Sequence, residues 1–432
     1  MTVEVTPFGI ACNLGCSYCY QDPMRDAGNV VNGRYDMARM KAGLLRENAR
    51  FTIFGGEPLL MPFADLEELC RWGLEHFAAR KRHADEAPTA NVTHIQTNGV
   101  LLTPAHAAMF RKYRVGVGIS VDGPDELNDA RVAGTPEETR AATAKTHAAI
   151  ALLAAEGPVP SLIVTLHRLN AAPTRLPRLL AWLRELDTAG IVEARLHPLE
   201  VDAPHVRERL ALDPEQEIAA FLACAALERE LLRLRFDVFA DVRALLLGKD
   251  GEVSCTFNAC DPMTTHAVYG IDGQGERSNC GRTNKDGINW RKAEARGYER
   301  QLALYRTPQA DGGCAGCRFF FACKGQCPGT AIGGDWRNRS EGCALWMALF
   351  EEEEARLAAA GKKPLSLDPD LRTLEERLLE GWAAGRQGSV GAAAAGDQHG
   401  DSHGDQAHGD TPHGDAWGSR EHPIGVAPVG AP

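Results

Sequence analysis

The sequence predicts an α/β fold: a partial barrel of six βα units, (β/α)6, followed by a small cysteine-rich domain and then C-terminal helices. Three observations carry this. Over the first ~240 residues, short β-branched runs alternate with longer amphipathic stretches, the change of period that repeated βα units require. Eight of the 13 cysteines then fall between Cys255 and Cys343, where glycine and asparagine rise and regular periodicity thins. Two further helical stretches follow before the sequence becomes low in complexity.

The strands are expected at Val3–Ile10, Phe51–Phe54, Val92–Gln96, Val115–Val121, Ser161–Leu166 and Val192–His197. Helices are expected between them at Met37–Glu47, Ala64–Arg82, Pro104–Tyr113, Pro136–Ala155 and Pro177–Leu186, with a longer one at Pro214–Arg235 leading out. Thr103 and Thr135 each precede a proline and read as N-caps with Pro at the first helical position. Six such units predict a parallel, TIM-like partial barrel with functional loops at the carboxyl ends of its strands. The last two helices are expected at Ala344–Ala359 and Pro369–Ala384, the second capped by Asp368. The domains are therefore residues 1–240 (barrel), 241–347 (cysteine-rich), 348–386 (helices) and 387–432, a tail that repeats His-Gly-Asp at His399, His403, His408 and His413 and holds too little apolar surface to fold.

Composition narrows the function classes. Of 432 residues, 44% are hydrophobic and 24% charged, as in ordinary globular proteins. A net charge of -11 does not suit a nucleic-acid binder. The absence of any run near ~20 apolar residues predicts no membrane span, and the start MTVEVTPFGIAC has no secretory pattern. A cytoplasmic chain keeps its thiols reduced, so clustered cysteines there point to metal or catalysis.

Cys12, Cys16 and Cys19 stand in CNLGCSYC, a C-x3-C-x2-C spacing just after the first strand. Three thiolates ligate three irons of a 4Fe–4S cube and leave the fourth iron open to a ligand. A zinc site, the alternative, would ordinarily offer four ligands in two pairs, and no fourth lies nearby. The motif, with Tyr18 before its last cysteine, resembles the radical S-adenosylmethionine (SAM) superfamily. The resemblance implies that the open iron chelates SAM, whose reductive cleavage yields a 5′-deoxyadenosyl radical that abstracts hydrogen from a substrate.

Other strand ends supply supporting residues. Gly55, Gly56, Glu57 and Pro58 form GGEP after strand two; glycine permits close backbone approach and a carboxylate accepts from an ammonium. The resemblance implies that this segment holds the cofactor's amino group, whereas taken alone it reads as a Gly-Pro turn. Thr97 and Asn98 lie in QTNG after strand three, and Ser120 begins SVDGP after strand four, with Arg131 beyond it. By resemblance Ser120 and Arg131 contact the cofactor's ribose and carboxylate. His167 and Asn170 after strand five, and His197 and Glu200 after strand six, face the same mouth, each reading individually as a satisfied structural residue.

From Cys260 the spacing runs C-x14-G-x4-C through Gly275 to Cys280, then C-x2-C-x5-C-x3-C at Cys314, Cys317, Cys323 and Cys327, then Cys343. This resembles the SPASM extension of radical SAM peptide and protein maturases. The resemblance implies two auxiliary 4Fe–4S clusters, one on Cys255, Cys260, Cys280 and Cys327 and one on Cys314, Cys317, Cys323 and Cys343, hence three clusters in all. Cys255 lies outside the seven-cysteine core. Cys70 and Cys224, among apolar residues, read as buried small hydrophobes.

In layout the chain is similar to sulfatase-maturing enzymes and to enzymes that cross-link ribosomal peptides. The barrel begins almost at residue 1, so no leader-gripping winged-helix module is expected. Sulfatase maturases place a catalytic Asp directly after the cysteine of the G-x4-C unit; here that place is Gly281. The expectation is therefore a peptide or protein substrate modified by cross-linking or oxidation, with Asp261, Asp286, His197 and Glu200 as weak catalytic candidates and a flavodoxin- or ferredoxin-type electron donor. Three readings of the tail stay open: inert, metal-holding, or a substrate segment, with Trp417 near its end, fused to its own enzyme. Alternatives for the whole chain are a small-molecule radical SAM dehydrogenase and a non-catalytic iron–sulfur electron carrier.

Overall fold

The computed structural model describes residues 2–22, 35–79, 90–251, 253–265, 268–285, 287, 289–290, 292–293 and 297–395. The expected βα series is present. β1 (Thr2–Thr6), β2 (Phe51–Ile53), β3 (Thr93–Thr97), β4 (Val115–Ser120), β5 (Ser161–Leu166) and β6 (Glu193–Pro198) pair in sequence order, all parallel. The helices between them are α1 (Met37–Glu47), α2 (Phe63–Phe77), α3 (Pro104–Lys112), α4 (Pro136–Glu156) and α5 (Leu176–Thr188). Thr103 and Thr135 cap α3 and α4, each in a reciprocal capping box. Strand one is shorter than expected: it stops at Thr6 because residues 7–10 turn toward the first cysteines.

Successive side chains on a strand face opposite ways, and the sheet uses this to separate its two surfaces. Val3, Val5, Phe51, Ile53, Val117 and Leu162 are buried in the hydrophobic core. The alternate positions, Glu4 and Thr6 on β1 or Gln96 on β3, are polar and only partly covered. Glycine on β4 makes room inside the barrel: a Cβ at Gly118 would lie 2.2 Å from Gln96 Oε1, and one at Gly116 would lie 2.4 Å from His94 Nδ1.

Three features depart from the sequence reading. The helix expected at Pro214–Arg235 is α6 (Pro214–Glu228). It stops there because the Asp187 carboxylate accepts the N–H groups of Leu232, Arg233 and Leu234, and Glu228 accepts that of Phe236, ordering the chain into a two-residue strand, β7 (Arg235–Phe236), on the edge of β6. The cysteine-rich segment is not confined to a separate layer. After α7 (Asp237–Leu246) it returns β8 (Val268–Asp272) to pair in parallel with β1, and β9 (Arg277–Ser278) hairpins onto β8, giving nine strands in the order β7-β6-β5-β4-β3-β2-β1-β8-β9. After α8 (Glu299–Arg306) and α9 (Cys343–Ala359), α10 (Leu371–Ala383) begins two residues later than expected. Asp370 stands at its N-cap, and Asp368 instead accepts the Asp370 N–H at 2.8 Å.

α9 packs on α6 and α7, where Arg243 bridges Glu228 and Glu353. A last short helix, α11 (Val390–Ala395), is pinned by Asp250, which accepts from Ser389 Oγ at 2.8 Å and from Val390 N at 2.7 Å. Among the described residues no helix is long and apolar enough to cross a membrane. The expected tail at residues 387–432 lies outside the described residues from 396 onward.

Candidate active site

The loop carrying Cys12, Cys16 and Cys19 leaves the carboxyl end of β1 and is clamped from two sides. On one side are Gly55 and Gly56. A Cβ at Gly56 would lie 1.9 Å from the Ala11 carbonyl oxygen, and Gly55, at φ +101°, would place one 2.5 Å from the Gly9 oxygen. Only glycine lets the two backbones approach this closely. Gly56 and Glu57 N–H donate to Gly9 and Ala11 carbonyls at 2.8 Å each. On the other side, Gly15 N–H donates to Val132 O and Ser17 N–H to Ala130 O, both at 2.8 Å, so the segment holding Arg131 is zipped onto the cysteine loop.

The carboxylate of Glu57 does not face the loop as an open acceptor. It is buried and takes donors from Thr97 Oγ1 (2.7 Å), Asn98 N (2.8 Å) and Leu59 N (2.8 Å), capping the turn Pro58–Leu60 and tying β2 to β3. The Glu57 carboxylate is therefore engaged within the fold. Asn98 reaches the cysteine loop, donating to Asn13 Oδ1 at 2.7 Å with Cys12 Sγ 3.8 Å away. Burial, reinforced by the charges of Cys19, Asp122 and Cys12, pushes the Cys16 thiol up to about 12 despite Arg131.

Asp122, fully buried, organises the opposite wall. Its carboxylate meets Arg131 Nη2 at 3.1 Å, His167 Nε2 at 3.3 Å, Thr165 N at 3.0 Å and the Tyr18 hydroxyl. Burial opposes its charge, but Arg131 and the hydrogen bonds from His167 and Tyr18 hold its pKa at about 2. Arg131 stacks its guanidinium 5.6 Å over the Tyr18 ring and keeps Nε buried without a hydrogen-bond partner. Ser120 Oγ accepts from Gln96 Nε2 at 2.9 Å. His167 and Asn170 are structural, as their sequence context suggested: both are fully buried, and Asn170 Nδ2 donates to the carbonyls of Asp122 and Thr165.

Across the barrel interior lies a second polar group that joins the barrel to the cysteine-rich segment. Arg282, two residues after Cys280, places Nη1 2.8 Å from Glu200 Oε1 and donates from Nη2 to His197 Nε2 at 2.5 Å. His197 Nδ1 lies 2.9 Å from the Pro198 carbonyl, which fixes the neutral tautomer; burial, then Arg282, hold its pKa well below the usual imidazole value. Lys285 pairs with Asp202 on the same β6 loop, and Arg195 pairs with Asp237. Glu4 on β1 faces this group, its carboxyl pushed up to about 7 by burial against the pull of Arg282 and Arg195. Tyr20, directly after Cys19, interacts with Glu4, Arg282 and Cys280 and so spans the two cysteine regions. A Cβ at Gly281 would meet the Tyr20 ring at 3.1 Å, so this position opens onto Tyr20.

The eight later cysteines separate into two groups in space. Cys255, Cys260 and Cys280 each feel the charge of Cys327. Cys314, Cys317, Cys323 and Cys343 line a single cavity with Phe319 and Met347. The chain Cys323–Cys327 thus serves both groups. Burial pushes Cys260 and Cys314 up to about 12. Among the described residues no three His, Cys, Asp or Glu side chains gather tightly enough to grip one ion; around zinc, bonds of about 2.3 Å would bring sulfurs within about 4 Å of one another.

Of the other expected residues, Asp261 is buried and engaged with Met263 N and Arg300 N. Asp286 lies outside the described residues. Cys70 and Cys224 are fully buried in the core. Glu4, Tyr20, Arg282 and Asp122 were not singled out from sequence. The signals were a charge alternating with Val3 and Val5 on a core strand, and residues one or two places from ligand cysteines.

Residues 6–173 match the radical SAM superfamily. A 136-residue stretch, 29% of this chain, is 31% identical to a serine-type anaerobic sulfatase-maturating enzyme of Bacteroides thetaiotaomicron, of which it spans 30%. A 138-residue stretch, 30% of the chain, is 28% identical to a cysteine-type anaerobic sulfatase-maturating enzyme of Clostridium perfringens, of which it spans 35%. The chain thus spans about a third of the length of these relatives. In fold, native anSMEcpe with bound AdoMet superposes with a TM-score of 0.62 at 18% identity, covering 83% of this chain and 98% of that one. Streptococcus suis SuiB does so with a TM-score of 0.50 at 15% identity, covering 79% and 76%.

Proposed function

We propose that this chain, whose residues 6–173 form a radical SAM domain, reductively cleaves SAM and uses the resulting radical to cross-link or oxidise a side chain of a peptide or protein. The observation that carries the reading is the clamped cysteine loop: three thiols held between Gly55–Gly56 and the Ala130–Val132 segment, with an unpartnered Arg131 Nε and the Gly-Gly backbone beside them. Cys12, Cys16 and Cys19 would hold the first 4Fe–4S cluster. The Gly55–Glu57 backbone, Asn98, Ser120 and Arg131 would hold SAM. When bound, this pair supplies a 5′-deoxyadenosyl radical. The protein's own contribution is to fix the loop, to keep Arg131 oriented through Asp122 and Tyr18, and to enclose a chamber whose far wall is Glu4, Tyr20, Arg282 and Glu200.

Two further clusters are assigned to Cys255, Cys260, Cys280 and Cys327 and to Cys314, Cys317, Cys323 and Cys343. Two groups of four soft thiolates suit four-iron cubes or zinc, and the radical SAM match upstream favours the cubes. A peptide rather than a small molecule is favoured because anSMEcpe, which shares the fold, has been solved with bound AdoMet and a Cp18Cys peptide. The missing carboxylate at Gly281 argues for a bond other than the one sulfatase maturases make.

The His-Gly-Asp tail, residues 396–432, is one candidate peptide substrate. Anaerobic reconstitution tests the whole reading. The enzyme should hold about 12 irons and form 5′-deoxyadenosine with SAM and a strong reductant. The triple variant C12A/C16A/C19A should lose about four irons and all of that product. Product from the triple variant, or zinc in place of iron, would overturn it. Intact mass after turnover, with tryptic mapping of residues 396–432, reports on the tail as substrate.

A further inference from the structure

Arg300 is the largest charged side chain sealed inside the protein. It is 1% exposed and makes no ion pair with any carboxylate among the described residues. Every donor goes to a backbone carbonyl: Nε to Trp336 at 2.6 Å, Nη2 to Asn338 at 2.9 Å and Gly325 at 3.3 Å, Nη1 to Cys260 at 3.5 Å. The nearest acid, Asp261, spends its oxygens on the N–H groups of Met263 and of Arg300 itself. A buried guanidinium without an ion-paired carboxylate costs several kcal/mol, a cost that the four carbonyls and the nearby charge of Asp261 offset only in part.

The carbonyls it clasps belong to both thiol groups. Cys260 is in the first. Gly325 lies between Cys323 of the second and Cys327 of the first, and residues 336–338 lead to Cys343 of the second. Gly325 itself (φ +78°) has no room for a side chain, since a Cβ would lie 2.5 Å from Leu304 Cδ1 and 3.6 Å from Arg300 Nη2. Burial lowers the pKa of Arg300, and the charges of Cys260, Cys327, Cys314 and Asp261 oppose that only in part; the three thiols come from both groups.

We propose that Arg300 is a positioning residue shared by the two auxiliary clusters: the cation that neutralises their thiolates jointly and biases both toward reduction. This rests on the auxiliary-cluster assignment above. A positive charge beside a cluster favours the form with one more electron, so removing it should move the reduction potential to more negative values. A residue that merely packs would not shift it.

The test compares Arg300→Gln and Arg300→Lys with the wild type, anaerobically reconstituted, by iron and sulfide analysis and by redox titration followed by EPR. Arg300→Gln should lose part of its auxiliary iron, and the clusters it retains should titrate at more negative potential; the N-terminal cluster should titrate unchanged. Arg300→Lys, keeping the charge without the fork, should lie nearer the wild type in potential. Wild-type auxiliary potentials in Arg300→Gln would overturn the inference. So would equal failure of both variants to take up auxiliary iron, since that assigns the role to shape alone. A wild type with only four irons would instead overturn the auxiliary-cluster assignment, and the inference with it.

Discussion

The guanidinium of Arg282 sits 2.8 Å from the carboxylate of Glu200, and the two come from different parts of the chain: a barrel strand's exit loop and the segment behind Cys280. With His197 as a third member, this contact fixes the cysteine-rich segment against the barrel mouth. Arg282→Met should therefore destabilise the protein by about 3–5 kcal/mol, because it leaves Glu200 buried without a counter-ion. Arg282→Met with Glu200→Gln should recover a large share of that loss. A double-mutant cycle by chemical denaturation measures the coupling, and additive losses would show that the pair does not act as one unit.

Gly56 gives a sharper test of the cysteine loop. A methyl group there would overlap the Ala11 carbonyl oxygen at 1.9 Å, backbone against backbone, so the loop must move. Gly56→Ala should retain about 8 of about 12 irons and make no 5′-deoxyadenosine, while circular dichroism stays near wild type. Full iron content in this variant would refute the clamp.

Asp122 should matter to cofactor binding without touching the cofactor. Asp122→Ala leaves Arg131 and His167 buried without their shared acceptor, at a cost of about 3–5 kcal/mol. Asp122→Asn keeps the shape and should cost less, about 1–3 kcal/mol, while freeing Arg131 from its fixed direction. Equilibrium binding of SAM to the reconstituted Asp122→Asn enzyme should weaken roughly tenfold with its iron content unchanged. Unchanged affinity would place Arg131 outside the cofactor site.

Much of this architecture was legible because it is repetitive or carried by local signals. Helix α1 follows its expected bounds, and Thr103 and Thr135 cap as read, because local signals decide those positions. The division of the later cysteines into two groups of four came from the resemblance to a known extension and not from spacing alone, since their members interleave in sequence. What was not legible depends on distant partners. No local signal ends α6 at Glu228; Asp187, from another helix, does so by capping three N–H groups. Nothing near residue 57 says that its carboxylate turns inward to Thr97 and Asn98. Nor does the sequence near residues 268–272 say that they pair with β1. Arg282 and Glu4 stayed hidden because a lone charge on a strand or loop gains meaning only when the other wall is placed.

Glu4 yields a pH dependence whose sign follows from its environment. Burial raises its carboxyl from 4.5 to about 7, the pull of Arg282 and Arg195 notwithstanding. Between those values the folded chain holds a proton that the unfolded chain has released, so the associated stability is complete below about 4.5 and is lost as pH rises through about 7. Glu4 is only partly covered, so the effect should be about 1 kcal/mol rather than the full conversion of the shift. Glu4→Gln stays neutral throughout, and its melting temperature should exceed that of the wild type at pH 8 by more than at pH 5. Equal differences at the two pH values would mean that Glu4 titrates as an ordinary surface carboxylate, and that the chamber does not hold a protonated acid near neutral pH.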